Sequence, residues 1–180
     1  MRPVTELLPN GHIWWRIADR QWNDPLDPDF AAIFGGRWNP PNSYPTLYLN
    51  EDQVTTRLNL RNFISRWPFE PEDLRTDTGP LLVGAKLPGN QAVCDVHTRL
   101  GVAKVGLHQN YPFDLNGDLV SHEVCQSIGA AVHAENLRGI RARSAQSRDG
   151  VARELAWFPA SSRSRARATT TLNFERWYWG

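Results

Sequence analysis

Arg37 follows two glycines and precedes the turn Trp38-Asn39-Pro40-Pro41, and Tyr48 lies in the short apolar run just beyond, all within IFGGRWNPPNSYPTLYLNED (33–52). Glycines and prolines packed this closely fix the backbone. A plain connecting loop has no need of such constraint, so the placement of Arg37 and Tyr48 matters. An arginine carries a planar fork of N–H donors that grips phosphate oxygens in pairs. A stiff base lowers the ordering cost when such a fork binds. A second arginine, Arg16, sits in the aromatic-rich run HIWWRIA (12–18). Two arginines converging from separate strands make a suitable clamp for an anionic group.

The elements that must position these groups are legible in outline. HIWWRIA reads as a strand, since isoleucine and tryptophan favour a pleated surface. DPDFAAIFGG reads as a short helix with Asp27 as cap, Pro28 in the first turn and Gly35 or Gly36 at its end. TLYLN (46–50) is a short strand. EDQVTTRLNLRNFISRW (51–67) is a helix capped by Asn50 with Gln53 reaching back, its apolar stripe Val54, Leu58 and Phe63, stopped by Pro68. LLVGAKL (81–87) and AVCDV (92–96) are strands, followed by a loop-rich region. A second clear helix spans 119–136, with the stripe Val120, Val124, Ile128, Ala131 and Val132. GIRARSA, ARELAWFPA and TTLNFERWYW are the remaining strand candidates. Between the last two, SSRSRARATT is a basic, Ser-rich loop, read as a solvated turn or as a contact for an acidic partner. Strands and helices mix without a βαβ rhythm. The expected class is therefore α+β, a single domain over 1–180 with mostly antiparallel sheet and flanking helices.

Composition narrows the function. The chain has 180 residues, 41% hydrophobic and 22% charged, with a formal net charge of +1. Such a balance creates no field that favours nucleic acid or a membrane. Two cysteines, Cys94 and Cys125, fit a reducing compartment. No apolar run approaches the length of a membrane span or a signal peptide, so the expected location is the cytoplasm. The eight tryptophans are read first as packing residues, with an aromatic-lined ligand site as the alternative. The five histidines form no metal-binding pair, no G-x-S-x-G accompanies a Ser-His-Asp set, and GAKLPGN does not match a dinucleotide fingerprint. A metal is not expected.

GGRWNPP, followed by LYLNED and a helix, resembles the RES-domain family, the toxins of bacterial toxin–antitoxin pairs named for an Arg, a Glu and a Ser. WWRIAD is similar to that family's aromatic-Arg strand. CQSIGAAVHAENLRGIRARS is similar to its helix, glycine and strand, and GVARELAWFPA to its late strand. The resemblance covers most of the chain. It implies a fold related to ADP-ribosylating toxins and cleavage of NAD at the nicotinamide–ribose bond, by phosphorolysis or hydrolysis. It also implies a helix-turn-helix antitoxin as partner, with nucleic acid reached only through that antitoxin. NAD is then substrate, and no metal takes part.

On that reading Arg16 and Arg37 hold the pyrophosphate, and Tyr48 contacts nicotinamide or its ribose. The family's helix glutamate falls at Asn59, an amide that can bond ribose but cannot offset a cation. Glycosidic cleavage passes through an oxocarbenium-like state that wants a carboxylate. Two accounts stay open. In one, Glu123 supplies the carboxylate from the second helix, with His122 beside it as acid or base, although neighbouring helical residues point about 100° apart. In the other, the domain only binds a nucleotide or a protein. Ser121 and Ser144 both remain candidates for the family serine. Transfer of ADP-ribose to a protein is a further possibility.

Overall fold

The structure, a computed structural model, describes residues 2–65, 68, 70–147 and 150–180. Among these residues eight strands form one mixed sheet: β1 (Thr5–Leu7), β2 (Ile13–Ala18), β3 (Leu47–Asn50), β4 (Leu81–Lys86), β5 (Ala92–Val96), β6 (Gly139–Arg143), β7 (Arg153–Trp157) and β8 (Arg167–Leu172). Their order is β1-β5-β6-β7-β3-β2-β4-β8. Among the described residues only β5 and β6 run parallel; the other pairs are antiparallel. The helices that accompany them are α1 (Asp29–Phe34), α2 (Gln53–Ile64), α3 (Arg99–Lys104), α4 (His122–Ala134) and α5 (Phe174–Tyr178). The α+β class expected from the sequence is the one observed. No helix among the described residues is long and apolar enough to cross a membrane.

Strand register decides which side chains share a face, because the side-chain period along a strand is two. Trp15 pairs with Asn50, Asn50 with Glu154 and Glu154 with Ala142, so these four lie on one face of the sheet. On that face α4 buries Cys125, Ile128 and Val132 against Ile140, Ala142 and Ala156. Farther along, Leu60 and Ile64 of α2 meet Phe174 and Trp177 of α5 over Leu82. The opposite face carries Trp14, Leu47, Leu49, Val83, Leu155 and Trp157.

Several local expectations are corrected. The α2 stripe is not Val54, Leu58 and Phe63, which are all exposed; Thr55, Thr56, Leu60 and Ile64 face inward. The cap there is Asp52, whose side chain accepts from Thr55 N, in place of Asn50. Asn50 is instead committed to the sheet, where its amide bonds the Trp15 carbonyl. The last two residues expected in that helix, Arg66 and Trp67, lie outside the described residues. The α4 helix starts at His122 after its cap Ser121, so Val120 precedes it and Val124 points outward. The segment 170–179 is not one strand. β8 ends at Leu172 and α5 follows, because Phe174 and Trp177, one helical turn apart, are both fully buried. β1 and α3 were not expected; each is short, and Asp95 and Thr98 fix the start of α3 by capping. Trp14, Trp38, Trp157 and Trp177 are core residues, as the packing reading expects, while Trp22 and Trp179 are exposed.

Candidate active site

The backbone around Arg37 is clamped from three sides. Gly35 has φ 74°, a left-handed conformation that glycine adopts without strain, and it closes α1. Gly36 lies so close to β3 that a Cβ there would sit 2.5 Å from the Tyr48 hydroxyl oxygen. That hydroxyl accepts from Trp38 N at 2.8 Å and donates to Asn39 Oδ1 at 2.7 Å. Asn39, itself fully buried, donates to the Ala31 carbonyl. From α4, Gln126 Nε2 donates to the Gly36 carbonyl at 2.8 Å, and Tyr44 Oη donates to that of Trp38 at 2.8 Å. The glycines and prolines therefore serve a turn held rigidly by its neighbours.

Out of this turn the Arg37 side chain reaches Tyr111 Oη with Nε at 3.3 Å and the Val120 carbonyl with Nη2 at 3.1 Å. Burial disfavours its charge, but Tyr111, Cys125 and Glu154 outweigh that and hold its pKa above the ordinary arginine value. The guanidinium opens onto a cavity of about 300 Å³, lined also by Asn59, Asn62, Phe63, His122, Gln146 and Glu154. Phe63 borders a second, mostly apolar cavity with Ile17, Leu60 and Ile64.

Glu154 is the carboxylate of this cavity. It projects from β7 on the same face as Asn50 and Ala142. Its Oε1 accepts from Asn59 Nδ2 at 2.9 Å and from Ser144 Oγ at 2.5 Å. Asn59 also donates to Asn50 Oδ1 and accepts from Ser144 Oγ at 3.3 Å. Ser144 is fully buried just past β6 and accepts from Gln146 N at 3.1 Å. Asn59 and Ser144 thus hold one carboxylate oxygen, while Oε2 makes no hydrogen bond to a described residue. His122 opens α4 on the cavity wall; burial, then the nearby Arg37, depresses its pKa, so the ring is neutral at pH 7.

The structure gathers Arg37, Asn59 and Ser144 at one cavity and leaves other expected residues elsewhere. Arg16 is a correction. Trp15 shares the face of Asn50 and Glu154, so its neighbour Arg16 is on the opposite face. There Arg16 donates to the Asp27 carbonyl at 3.2 Å and lies over the Trp22 ring. The two-arginine clamp is not formed. Tyr48 stands behind the Arg37 turn with its hydroxyl engaged, and burial raises its pKa, so it stays protonated. It is a positioning residue, corrected from a substrate contact. Ser121 is an exposed helix cap that accepts from Val124 N. Glu123 is exposed on the first turn of α4 and does not line the cavity; His122, also exposed but one 100° step away, borders the cavity in its place.

Glu154 was not singled out in the sequence. The available signal was an acidic residue inside an apolar strand, RELAW, alternating with Ala156 toward the face that α4 covers.

Two predictions arise from these placements. Tyr48→Phe leaves Trp38 N–H and Asn39 Oδ1 without their buried partner. It is expected to cost about 1–3 kcal/mol, measured by chemical denaturation. Arg16→Ala is expected to leave chemistry at the cavity within about twofold of wild type, since a sheet separates the two. Steady-state kinetics check it; a large loss would return Arg16 to the site.

One group among the described residues has the composition of a metal site: Glu6, Asp95 and His97, with ligand atoms within 4.8 Å of one another. Its side chains already have protein partners. Arg141 pairs with Glu6 at 3.0 Å and with Glu51, and Asp95 accepts from the backbone of His97 and Thr98 and from the Thr98 hydroxyl. This network ties β1 to β5 and β6 and lies apart from the Arg37 cavity.

A family model described as "RES domain" matches residues 13–177. The chain belongs to the RES domain family. The match spans the clamped turn, the α2 amide, the serine after β6 and the β7 carboxylate, so the whole cavity is built within the RES domain. Among solved structures, a chain in the crystal structure of the M. tuberculosis MbcT–MbcA toxin–antitoxin complex is similar. It has TM-score 0.73 and 19% identity, over 94% of this chain and 90% of that one. At that identity the likeness is one of fold. No curated protein matches the sequence.

Proposed function

We propose that this RES domain is the toxin of a toxin–antitoxin pair and cleaves NAD at the nicotinamide–ribose bond in the Arg37 cavity. The observation that carries this reading is Glu154, a carboxylate fixed by Asn59 and Ser144 in the cavity onto which Arg37 opens. Departure of nicotinamide takes the bonding pair with it and leaves an oxocarbenium-like ribose. Glu154 offsets that charge, as carboxylates do in glycoside cleavage. Asn59 and Ser144 hold the carboxylate in place before substrate arrives. Arg37, charged and half-buried, anchors the phosphate nearest the ribose with the part of its fork left free by Tyr111 and Val120. Neutral His122 is placed to take the proton of the attacking water or phosphate as the new C–O bond forms. A dinucleotide is longer than this cavity and extends past Phe63 toward the apolar cavity beyond it. On this reading the partner is an antitoxin, the kind of protein found in complex with the structural neighbour, and it would cover this mouth.

The test follows free nicotinamide by liquid chromatography from purified protein and NAD, with and without inorganic phosphate. Release with ADP-ribose as co-product indicates water as acceptor; dependence on phosphate, with a phosphorylated product, indicates phosphorolysis. Saturable NAD binding with no release at high enzyme concentration would instead make the domain a binding module.

A further inference from the structure

The basic segment 161–170, expected as a loop, is not a free turn: it runs through a 3₁₀ turn into the start of β8. Trp157 Nε1 donates to the Ser164 carbonyl at 2.9 Å, and Arg165 Nη2 pairs with Asp29 at 2.8 Å. Ser161 and Ser164 cap the one-turn 3₁₀ helix between them. So fixed, the loop brings Arg163, Arg165 and Arg167 around a cavity of about 280 Å³ completed by Lys86, Leu87 and Pro88. Arg165 is neutralised by its aspartates. Among the described residues, Lys86, Arg163 and Arg167 make no ion pair or hydrogen bond through their side chains. Lys86 and Arg167 are moreover direct cross-strand partners. Like charges facing each other across an antiparallel pair are destabilising. Three unneutralised cations converging on a pre-shaped cavity, two of them opposed at a cost, are the arrangement of an anion site.

The neighbouring backbone narrows the anion. β8 is the last strand of the sheet, so among the described residues its outer edge pairs with no strand, and Arg167 to Thr171 are exposed. An open edge accepts an extended peptide through main-chain hydrogen bonds, with side-chain pockets giving selectivity. An extended peptide matches the alternating N–H and C=O groups of that edge in register, which the phosphates of a nucleic acid, being acceptors only, do not. We infer that β8 and the basic cavity at its start form a docking edge for an acidic, extended segment of a partner polypeptide. The segment adds as a strand and places carboxylates among Lys86, Arg163 and Arg167. This edge is separate from the NAD cavity.

The test uses the full chain and three fluorescein-labelled probes. They are an extended peptide of alternating Glu and Thr, its Gln-for-Glu counterpart, and a short single-stranded oligonucleotide. Fluorescence anisotropy should show saturable binding of the acidic peptide, weakened by added salt and at least about tenfold by Lys86→Gln with Arg167→Gln. Amide exchange should slow along Arg167–Leu172 when the peptide binds. Lys86→Gln alone should raise the melting temperature by roughly 1–3 °C, because it relieves the opposed charges. Equal binding of the Gln peptide, tighter binding of the oligonucleotide, or indifference to the double substitution overturns the inference. So does unchanged exchange along β8, or a fall in melting temperature for Lys86→Gln. NAD turnover is expected to be unaffected by these substitutions, so this result and the activity assay fail independently.

Discussion

Glu154→Gln is expected to lower kcat for nicotinamide release by about 10²–10³-fold, the loss typical when one electrostatic stabiliser is removed from a transition state. The substitution is nearly isosteric. Its side-chain carbonyl still accepts from Ser144 and Asn59, so the hydrogen-bonded frame survives. What disappears is the charge that meets the developing cation. KM should move little, because the ground-state substrate carries no such ribose charge to be met. Glu123→Gln is the matched control. It removes an acidic residue from the neighbouring helix turn, exposed and outside the cavity, and should leave kcat unchanged. Steady-state kinetics on both variants, with circular dichroism to confirm folding, decide the matter. A fully active Glu154→Gln protein would remove the carboxylate from the mechanism.

The same comparison resolves the departure at position 59. The amide there does not leave the site without a carboxylate. Asn59 Nδ2 lies 2.9 Å from Glu154 Oε1, so the charge is supplied from the adjoining strand beside the helix position that lacks it. A carboxylate on α2 and one on β7 reach the same point because α2 packs over the face of the sheet that carries Asn50 and Glu154.

What the sequence makes legible follows its local physics. The rigid GGRWNPP turn can be read because glycine and proline act on the backbone directly, whatever surrounds them. The α2 and α4 helices are visible from length and caps. The inward face of α2 is not, because it buries two threonines, and Thr56 Oγ1 turns back to the Asp52 carbonyl while apolar Val54 and Leu58 are left to solvent. Sheet register is not legible either. Whether Arg16 or Trp15 faces the cavity depends on which β2 residue stands opposite Asn50, a contact across 35 residues of chain. A slip of one residue reverses the answer. Glu154 was hidden for the same reason: its partners Asn59 and Ser144 lie 95 and 10 residues away and meet it only in three dimensions. Tyr48 shows the converse. Its proximity in sequence to Arg37 is real, but the shared purpose is scaffolding, with the hydroxyl spent on Trp38 and Asn39.

Gly129→Ala tests how that scaffold is built. Alanine is the better helix former by about 1 kcal/mol, so in an unobstructed helix this change stabilises. Here α4 runs directly against the turn that presents Arg37. A Cβ at position 129 would lie 1.7 Å from the Trp38 carbonyl oxygen and 2.7 Å from its carbon. The obstacle is backbone, and it is itself fixed: Tyr44 donates to that carbonyl, and Tyr48 binds the Trp38 N–H. No rotamer change relieves the contact. The helix must move, and with it Gln126, which bonds the Gly36 carbonyl, and His122 at the cavity wall. Overpacking against rigid partners costs about 3 kcal/mol or more, which outweighs the helical gain. The melting temperature should fall by roughly 4–8 °C, taking the net loss as about 2 kcal/mol. Turnover should fall further than stability accounts for, because the two elements that frame the cavity are forced apart. Thermal denaturation reads the first effect, and kinetics well below the transition read the second. A Gly129→Ala protein with raised stability and full activity would mean that α4 does not set the position of Arg37.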